Sequence, residues 1–514
     1  MLNRPLDVTL IETDASAAYQ DLARVFSAVE TPTWSLLLAQ SCRSRGLGVS
    51  ILDANAERLG IEETVSRIID LNPNLACFVV YGQNPNSGTT NMVGALAVCR
   101  VLKERNPAQR TAFVGSHTSA LPLEVLAEPA VDFVFSNEGV YALWSLLEAL
   151  RDFAEPHFGK IRGIGWKNEG SPQLNEPERI VPQSRMGLDL PGYAWDLLPF
   201  REKPLDLYRA HFWHARFNHS LRTPFAAIYT SLGCRFACNF CMINIVNRSD
   251  HREDAASSDY KGMRYWPPEL ILGEIRKLAA MGVESLRISD EMFFLDKRYY
   301  EPLLRGVIAE KIPLRTWTYS RVDTVRPEYL DLFREAGVEW LALGIEAGNQ
   351  TIRREASKGT FKEVDIREVV KETRSSGINV IANYIFGLPE DTLTTMQQTL
   401  DLALELNTEM ANMYPCMALP GSPLHRQARR EGWQLPTSFS GYGFLSYDSQ
   451  PLPTRHLSAA EVLEFRDNAW QTYFTSPAFL DLVEKRFGSQ ERANITEMAS
   501  VRLRRKLLEP VAAQ

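Results

Sequence analysis

The sequence predicts an α/β chain in two alternating series. A doubly wound parallel sheet comes first, then an incomplete barrel of about six β/α units, then helices to the C-terminus. Three observations predict this. Short apolar runs alternate with helical patterns from residue 8 to about 150, and again from 225 to about 416. Helical patterns of the second series tend to end at Gly, the residue best suited to follow a helix. The 514 residues exceed what one hydrophobic core holds, so two or three domains are expected.

In the first series "VTLIET", "GVSILDA", "LACFVVYG", "RTAFVGS" and "DFVFSNE" read as strands with helical patterns between them. That alternation implies right-handed crossovers and a Rossmann-like domain over residues 1–150. Ligands of such sheets bind beyond the carboxyl ends of the strands. Three segments rich in Gly, Ser, Asn and Thr fall there: 81–91, 115–122 and 136–139. Each alone reads equally well as a turn; together they suit a large polar ligand. Residues 151–205, with many Pro, Gly and charges and no period, read as a linker.

The second series, 206–430, has strands in "FAAIYTSLG", "SLRISDE", "RTWTYSRV", "WLALGIEA", "NVIANYIFG" and "EMANMYPCMA". Six units give a partial TIM-like (β/α)6 barrel, with chemistry expected at the carboxyl ends of its strands. Residues 431–514 read as a mostly helical cap over the barrel mouth. Its Trp433, Tyr442, Tyr447 and His456 either shape a substrate pocket or form a packed core.

Hydrophobic residues make up 45%, charged residues 23%, and the net charge is −7, which argues against a broad nucleic-acid footprint. The opening segment lacks a signal peptide's apolar core, and no run approaches the roughly 20 apolar residues of a membrane span. A cytoplasmic location is expected, where thiols stay reduced. The seven cysteines are then not a disulfide framework.

Three of them stand together in "TSLGCRFACNFCMIN", as Cys234, Cys238 and Cys241. Structural zinc wants four ligands; Cys42, Cys77, Cys99 and Cys416 are scattered, and His251 is the nearest alternative at a non-standard spacing. Iron–sulfur clusters accept thiolates at such short spacings, and three thiolates leave one iron of a 4Fe–4S cluster open for chemistry.

This Cys-x-x-x-Cys-x-x-Cys loop after a first barrel strand, with Phe240 before its last Cys, resembles the radical S-adenosylmethionine (SAM) superfamily. Later strand ends extend the resemblance. "ISDEMFF" would put Asp290 and Glu291 near the SAM amino group, "SRVDT" supplies Arg321, and "LGIEAGNQ" supplies Glu346. "NYIFGLPED" carries Ile385, Gly387 and Glu390, which the resemblance places beside the adenine, and "LPGSPLH" closes the sixth unit. Taken singly, each acid reads as a helix cap or an ion-pair member. The resemblance implies a 4Fe–4S cluster on the three cysteines, SAM on the open iron, and an external electron donor of flavodoxin or ferredoxin type.

The N-terminal stretches "TPTWSLLLAQSCRSRGLGVSILDANAE", "GSHTSALP" and "DFVFSNEG" are similar to the cobalamin-binding domain of the cobalamin-dependent branch. Contacts to cobalamin would come from Tyr81, Gly82, Gly115, Ser116, His117, Ser119, Glu138 and Gly139. One departure matters: no Asp-x-His-x-x-Gly motif is present, and His117 follows the fourth strand. It is expected to act as a loop donor near the corrin, not as a cobalt ligand. The implied function is C-methylation at an unactivated carbon of a small biosynthetic intermediate. The alternative is cyclisation, ring rearrangement, oxidation or epimerisation without net methylation. An RNA-modifying enzyme would want a basic module, and a non-catalytic sensor would not need both the cysteine loop and the fifth-strand motif.

Overall fold

The structure, a computed structural model, describes residues 6–14, 20, 26–82, 85–357, 361–362 and 364–510. Every strand expected in the two series is present. In the first domain β1 (Val8–Glu12), β2 (Val49–Asp53), β3 (Leu75–Val80), β4 (Thr111–Gly115) and β5 (Phe133–Phe135) run parallel in the order β2-β1-β3-β4-β5. Strands β3 and β4 are wholly buried, as their unbroken apolar runs require for a sheet covered on both faces.

The sheet does not stop at residue 150. A hairpin of β6 (Ile164–Asn168) and β7 (Ser171–Leu174) adds two antiparallel strands beyond β5. Its two-residue turn, Glu169–Gly170, has both φ angles positive, the geometry that matches strand twist. The strands are short and β7 is largely exposed, so they carry no apolar alternation to read. Residues 190–195 then pack between the domains. Tyr193 Oη donates to Tyr229 O at 2.7 Å, Trp195 Nε1 to Glu274 Oε2 at 2.8 Å, and Leu190 O accepts from Trp266 Nε1 at 2.8 Å. The expected linker is thus partly sheet and partly inter-domain filler.

The second sheet is the expected open barrel of six parallel strands. Its order is β8 (Phe225–Ile228), β11 (Ser285–Ile288), β12 (Arg315–Arg321), β13 (Val338–Glu346), β14 (Asn379–Phe386) and β15 (Met410–Pro415). A separate hairpin, β9 (Ser231–Cys234) with β10 (Gly262–Tyr265), leaves the end of β8. An open barrel exposes two edges, and both are covered. On the β8 edge, Thr31 Oγ1 donates to Ala227 O at 3.2 Å and accepts from Ala227 N at 2.9 Å, replacing a missing strand. The neighbouring Glu30 forms a buried ion pair with Arg287 of β11, whose Nη2 donates to Tyr319 Oη at 2.7 Å. On the other side the helix Ala459–Phe474 lies against β15, with Arg466 Nε donating to Met413 O at 2.7 Å.

The C-terminal helices follow as expected: Val462 of the helix Ala459–Phe474 packs on Gly387 at the end of β14, whereas the last two helices lie toward the strand starts. Phe487 stacks on Trp340, near the start of β13, at 5.7 Å. The irregular segment 433–457 lies at the strand ends instead: Leu452 N donates to Cys416 O at 2.9 Å and Arg455 Nε to Glu390 Oε1 at 2.6 Å. Trp433 and Tyr442 are half-buried or buried here, whereas Tyr447 is tied to Glu509 at the surface. Among the described residues no helix is long and apolar enough to cross a membrane.

Candidate functional site

The site begins where β8 ends. Asp290, just after β11, accepts three hydrogen bonds of 2.6 Å, from Thr230 N, Thr230 Oγ1 and Ser231 Oγ. Burial pushes its carboxyl up to about 6, and these donors oppose the shift. The residue expected near the SAM amino group therefore spends both oxygens on the strand that enters the cysteine loop. Cys234 is held by an amide clamp: Cys234 N donates to Asn244 Oδ1 at 2.8 Å, and Asn244 Nδ2 returns a bond to Cys234 O at 2.9 Å. Before it, Gly233 has φ +86, and a Cβ there would lie 2.3 Å from Gly262 O, so only glycine fits.

Burial raises all three thiols, Cys234 to about 11 and Cys238 to about 12. The loop nevertheless aims donors at sulfur: Phe236 N at Cys234 Sγ and Ile243 N at Cys241 Sγ, each at 3.5 Å, while Arg321 favours the Cys238 thiolate. Donors around buried sulfur suit thiolates bound to a cationic cluster, which removes their protons. His251, the alternative fourth ligand, turns away and bonds to Asn175 O near the β6–β7 hairpin. Among the described residues no three His, Cys, Asp or Glu side chains converge on a single-ion site.

Around the loop stand the other strand-end residues. Burial raises Glu291 to about 7, with Arg287 opposing, and its charge acts on Cys241 and Cys234. Arg321 pairs with Asp323 through Nε at 2.9 Å and Nη2 at 2.5 Å, and lies over the Phe236 ring at 3.7 Å. Glu346 has φ +68 at a register shift between β13 and β14, a strained conformation for a residue with a side chain. A Cβ on Gly344 would come within 2.5 Å of Glu346 Oε1, so the glycine makes room for this carboxyl. Burial raises Glu346 to about 7, and Arg321 opposes that. Ile385 packs with Phe240 and Leu388. Gly387, at φ +85, donates with Leu388 to Asp391 Oδ2 at 3.1 and 2.9 Å. Glu390 is bound outward to Arg455.

The first domain presents its carboxyl edge to the same region. Tyr81, directly after β3, stacks on Trp34 at 4.3 Å and 14°, and Trp34 lies 6.5 Å from Tyr229, directly after β8. Asn86 Oδ1 accepts from Met242 N at 3.2 Å, joining the 81–91 segment to the cysteine loop; Gln83 and Asn84 of that segment lie outside the described residues. Tyr81 Oη, Trp34 Nε1 and Thr118 Oγ1 are buried without a hydrogen-bond partner. Three such atoms at one sheet edge are costly unless a ligand satisfies them, so the residues present fit a large polar ligand such as cobalamin.

His117 Nδ1 meets Thr89 Oγ1 at 3.1 Å, and its Nε2 lies 3.7 Å from Glu124 Oε1. A cavity of about 650 Å³ opens beside it, lined also by Arg248, His425, Phe439 and Tyr442. Gly82 and Gly139 take left-handed turns at φ +67 and +83, and Gly115 and Ser116 pass close to Val80 and Gly88. Ser119 Oγ donates to Gly115 O at 2.8 Å. Glu138 is engaged elsewhere: its oxygens take Arg264 Nη1 and Nη2 at 3.2 and 2.7 Å and Val181 N at 2.5 Å, which ties this edge to β10. Sequence reading singled out neither Asn244, Asp391 nor Trp34, although each lies inside a stretch it quoted, and it passed over Arg264 altogether, because their roles rest on contacts that spacing along the chain does not show.

The radical SAM superfamily matches residues 228–403, and the B12 binding domain matches residues 19–147. An uncharacterized methyltransferase of Pyrococcus horikoshii is 23% identical over 464 residues, which cover 89% of this chain and 91% of that one. The cytidylyl-2-hydroxyethylphosphonate methyltransferase of Streptomyces wedmorensis is 23% identical over 64% of this chain and 63% of its own length. The anaerobic magnesium-protoporphyrin IX monomethyl ester cyclase of Cereibacter sphaeroides is 21% identical over 87% of this chain and 67% of its own. Among solved structures, the radical SAM methyltransferase TsrM of Kitasatospora setae, with cobalamin and a [4Fe-4S] cluster bound, superposes with a TM-score of 0.67 at 16% identity, covering 96% of this chain and 98% of that one. The cobalamin-dependent radical enzyme OxsB superposes with a TM-score of 0.65 at 15% identity over 96% of this chain and 70% of its own.

Proposed function

The chain belongs to the cobalamin-dependent radical SAM enzymes, with a 4Fe–4S cluster, SAM and cobalamin as cofactors, and on that premise we propose that it is a C-methyltransferase acting at an unactivated carbon of a small biosynthetic intermediate. When bound, the cluster with SAM supplies one-electron hydrogen abstraction, and cobalamin supplies a methyl carrier.

The chain's own residues do the rest. Cys234, Cys238 and Cys241 hold the cluster, and Asp290 and Asn244 fix the loop that carries them. Glu291, Arg321 and Glu346, at successive strand ends around the cysteine loop, would meet SAM's polar groups, and Phe240 and Ile385, packed together, with the Gly387 turn would border its adenine. Tyr81 and residues 115–119, with His117 as a loop donor, would hold cobalamin. The observation that carries this reading is the Trp34 contact. One indole touches both Tyr81 and Tyr229, so the ligand edge of the first sheet and the mouth of the barrel share one space. Two cofactors facing one substrate across that space is what methyl transfer to a carbon radical requires.

Relatives named as methyltransferases support the reading. The second reading, cyclisation without net methylation, is favoured by the cyclase relative, which aligns over 87% of this chain. SAM labelled in its methyl group decides between them in a lysate of the producing cells. Label in a product supports methyl transfer; deoxyadenosine without label transfer supports the alternative.

A further inference from the structure

Beside the cysteine loop, on the outer face of the β9–β10 hairpin, lies a groove of about 540 Å³. Leu188, Tyr265, Pro267, Leu270 and Tyr299 line it. Leu188, on the short helix Met186–Asp189, is 63% exposed, an unusual position for a large apolar side chain. The hairpin register ties the groove to the cysteines: Gly262 pairs with Cys234 and Tyr265 with Ser231. Tyr265 Oη donates to Met263 Sδ at 3.3 Å, and Met263 packs against the small core formed by Cys234, Ile243 and Met292. One tyrosine and one methionine therefore separate the groove from the first cysteine.

The flank of the groove is basic, although the whole chain carries −7. Arg298 has 88% of its side chain exposed, Arg235 of the cysteine loop 56% and Lys297 46%, and Lys261 beside β10 is exposed. Asp296 lies beneath the two arginines, 3.2 Å from Arg298 and 4.0 Å from Arg235, with 16% of its side chain exposed. Solvent thus meets mainly the cations. An apolar floor with a positive rim, next to a metal-binding loop, fits a protein partner with an acidic rim around its own redox centre.

We infer that this groove is the docking surface of a small acidic one-electron carrier protein, which delivers the electron to the cluster through the β9–β10 hairpin. This rests on the cluster reading given above. In the step the reduced carrier loses one electron and the oxidised cluster gains it; no bond breaks and no proton moves.

The test uses the full-length, cluster-loaded protein under anaerobic conditions. Cluster reduction is followed by stopped-flow absorbance with photoreduced flavodoxin and, separately, with dithionite. Arg298→Glu combined with Lys261→Glu is expected to slow reduction by flavodoxin about tenfold at low salt and to flatten its salt dependence, since steering by a charged surface is worth at least that much. Leu188→Asp is expected to weaken docking at all salt concentrations. Reduction by dithionite stays unchanged in every variant, as does reduction by flavodoxin in Lys371→Glu on the helix Ile366–Ser375. Flavodoxin rates unaffected by the groove variants, or lowered equally by Lys371→Glu, overturn the proposal. So does a shift from dimer to monomer in the Leu188→Asp protein, which would make the occupant a second copy. A protein that takes up no 4Fe–4S cluster refutes the cluster reading itself, and this inference with it; a cluster that loads and responds to dithionite but is indifferent to the groove refutes this inference alone.

Discussion

Replacing Asp290 separates two roles that its place after β11 allows. As the acid facing SAM's ammonium group, its charge would be essential. As the anchor of the cysteine loop, its hydrogen-bond geometry would be. The structure favours the anchor, because three donors at 2.6 Å already occupy the carboxylate. In Asp290→Asn the amide oxygen keeps Thr230 N, and the Thr230 and Ser231 hydroxyls can rotate to accept from the new NH2. The rise from 3.8 to about 6 is what burial leaves after these donors have acted, so it already contains their charge assistance and stands for about 3 kcal/mol at neutral pH. Asp290→Asn removes that penalty and loses part of the gain to weaker neutral hydrogen bonds, so it is expected to be at least as stable as the parent protein and at most about 3 kcal/mol more stable. Asp290→Ala instead orphans Thr230 N and two hydroxyls and costs about 3–6 kcal/mol. SAM affinity of the cluster-loaded Asn variant, by equilibrium dialysis, is expected to stay within about threefold. A loss of tenfold or more with folding intact would refute the anchor role, since that is what removing a charge-assisted bond to the ligand costs.

His117→Phe should leave the absorption and electron paramagnetic resonance spectra of bound cobalamin without the change that loss of an axial nitrogen produces, while weakening cobalamin binding; loss of axial nitrogen coupling would show the histidine to be a ligand. Glu30→Ala strands the buried Arg287 without a counter-charge and should cost about 3–5 kcal/mol in denaturant unfolding, with Glu30→Gln milder; equal effects would show that packing, not charge, governs the β8 edge. In cluster-free protein, Asp53 and Asp290 are raised to about 6, and Glu291 and Glu346 to about 7, so the folded state holds these protons to higher pH than the unfolded chain does. Their stabilising contribution is complete below about pH 4 and is lost as pH rises through 6 to 7, so denaturant stability should fall from pH 5 to pH 8; a flat or rising profile there would refute it.

Both alternating series were legible because their strands are buried on both faces and read as continuous apolar runs. The β6–β7 hairpin was not, because an exposed edge strand carries no such run. The cysteine loop was legible because thiolate spacing along the chain is a local property. What holds the loop is not local. Asp290 reaches it across 60 residues, Asn86 across 156, and Glu138 reaches the paired strand β10 across 126. Strand-end position singled out Asp290 and Glu138, and in the structure their partners are the protein's own groups: Thr230 and Ser231 for Asp290, Arg264 and Val181 N for Glu138.

That substitution changes how the two domains cooperate. Arg264 lies on β10, whose partner strand ends in Cys234, and it bonds Glu138 at the ligand edge of the first sheet. Thr31 and Glu30 complete the open side of the barrel from the first domain, immediately before the helix that presents Trp34 to Tyr81. Each cofactor edge is therefore built partly from the other domain. A rigid-body shift of one domain would break the Glu138–Arg264 and Glu30–Arg287 pairs, both buried, and leave four charges without partners. The cost of that separation holds the two edges at one spacing.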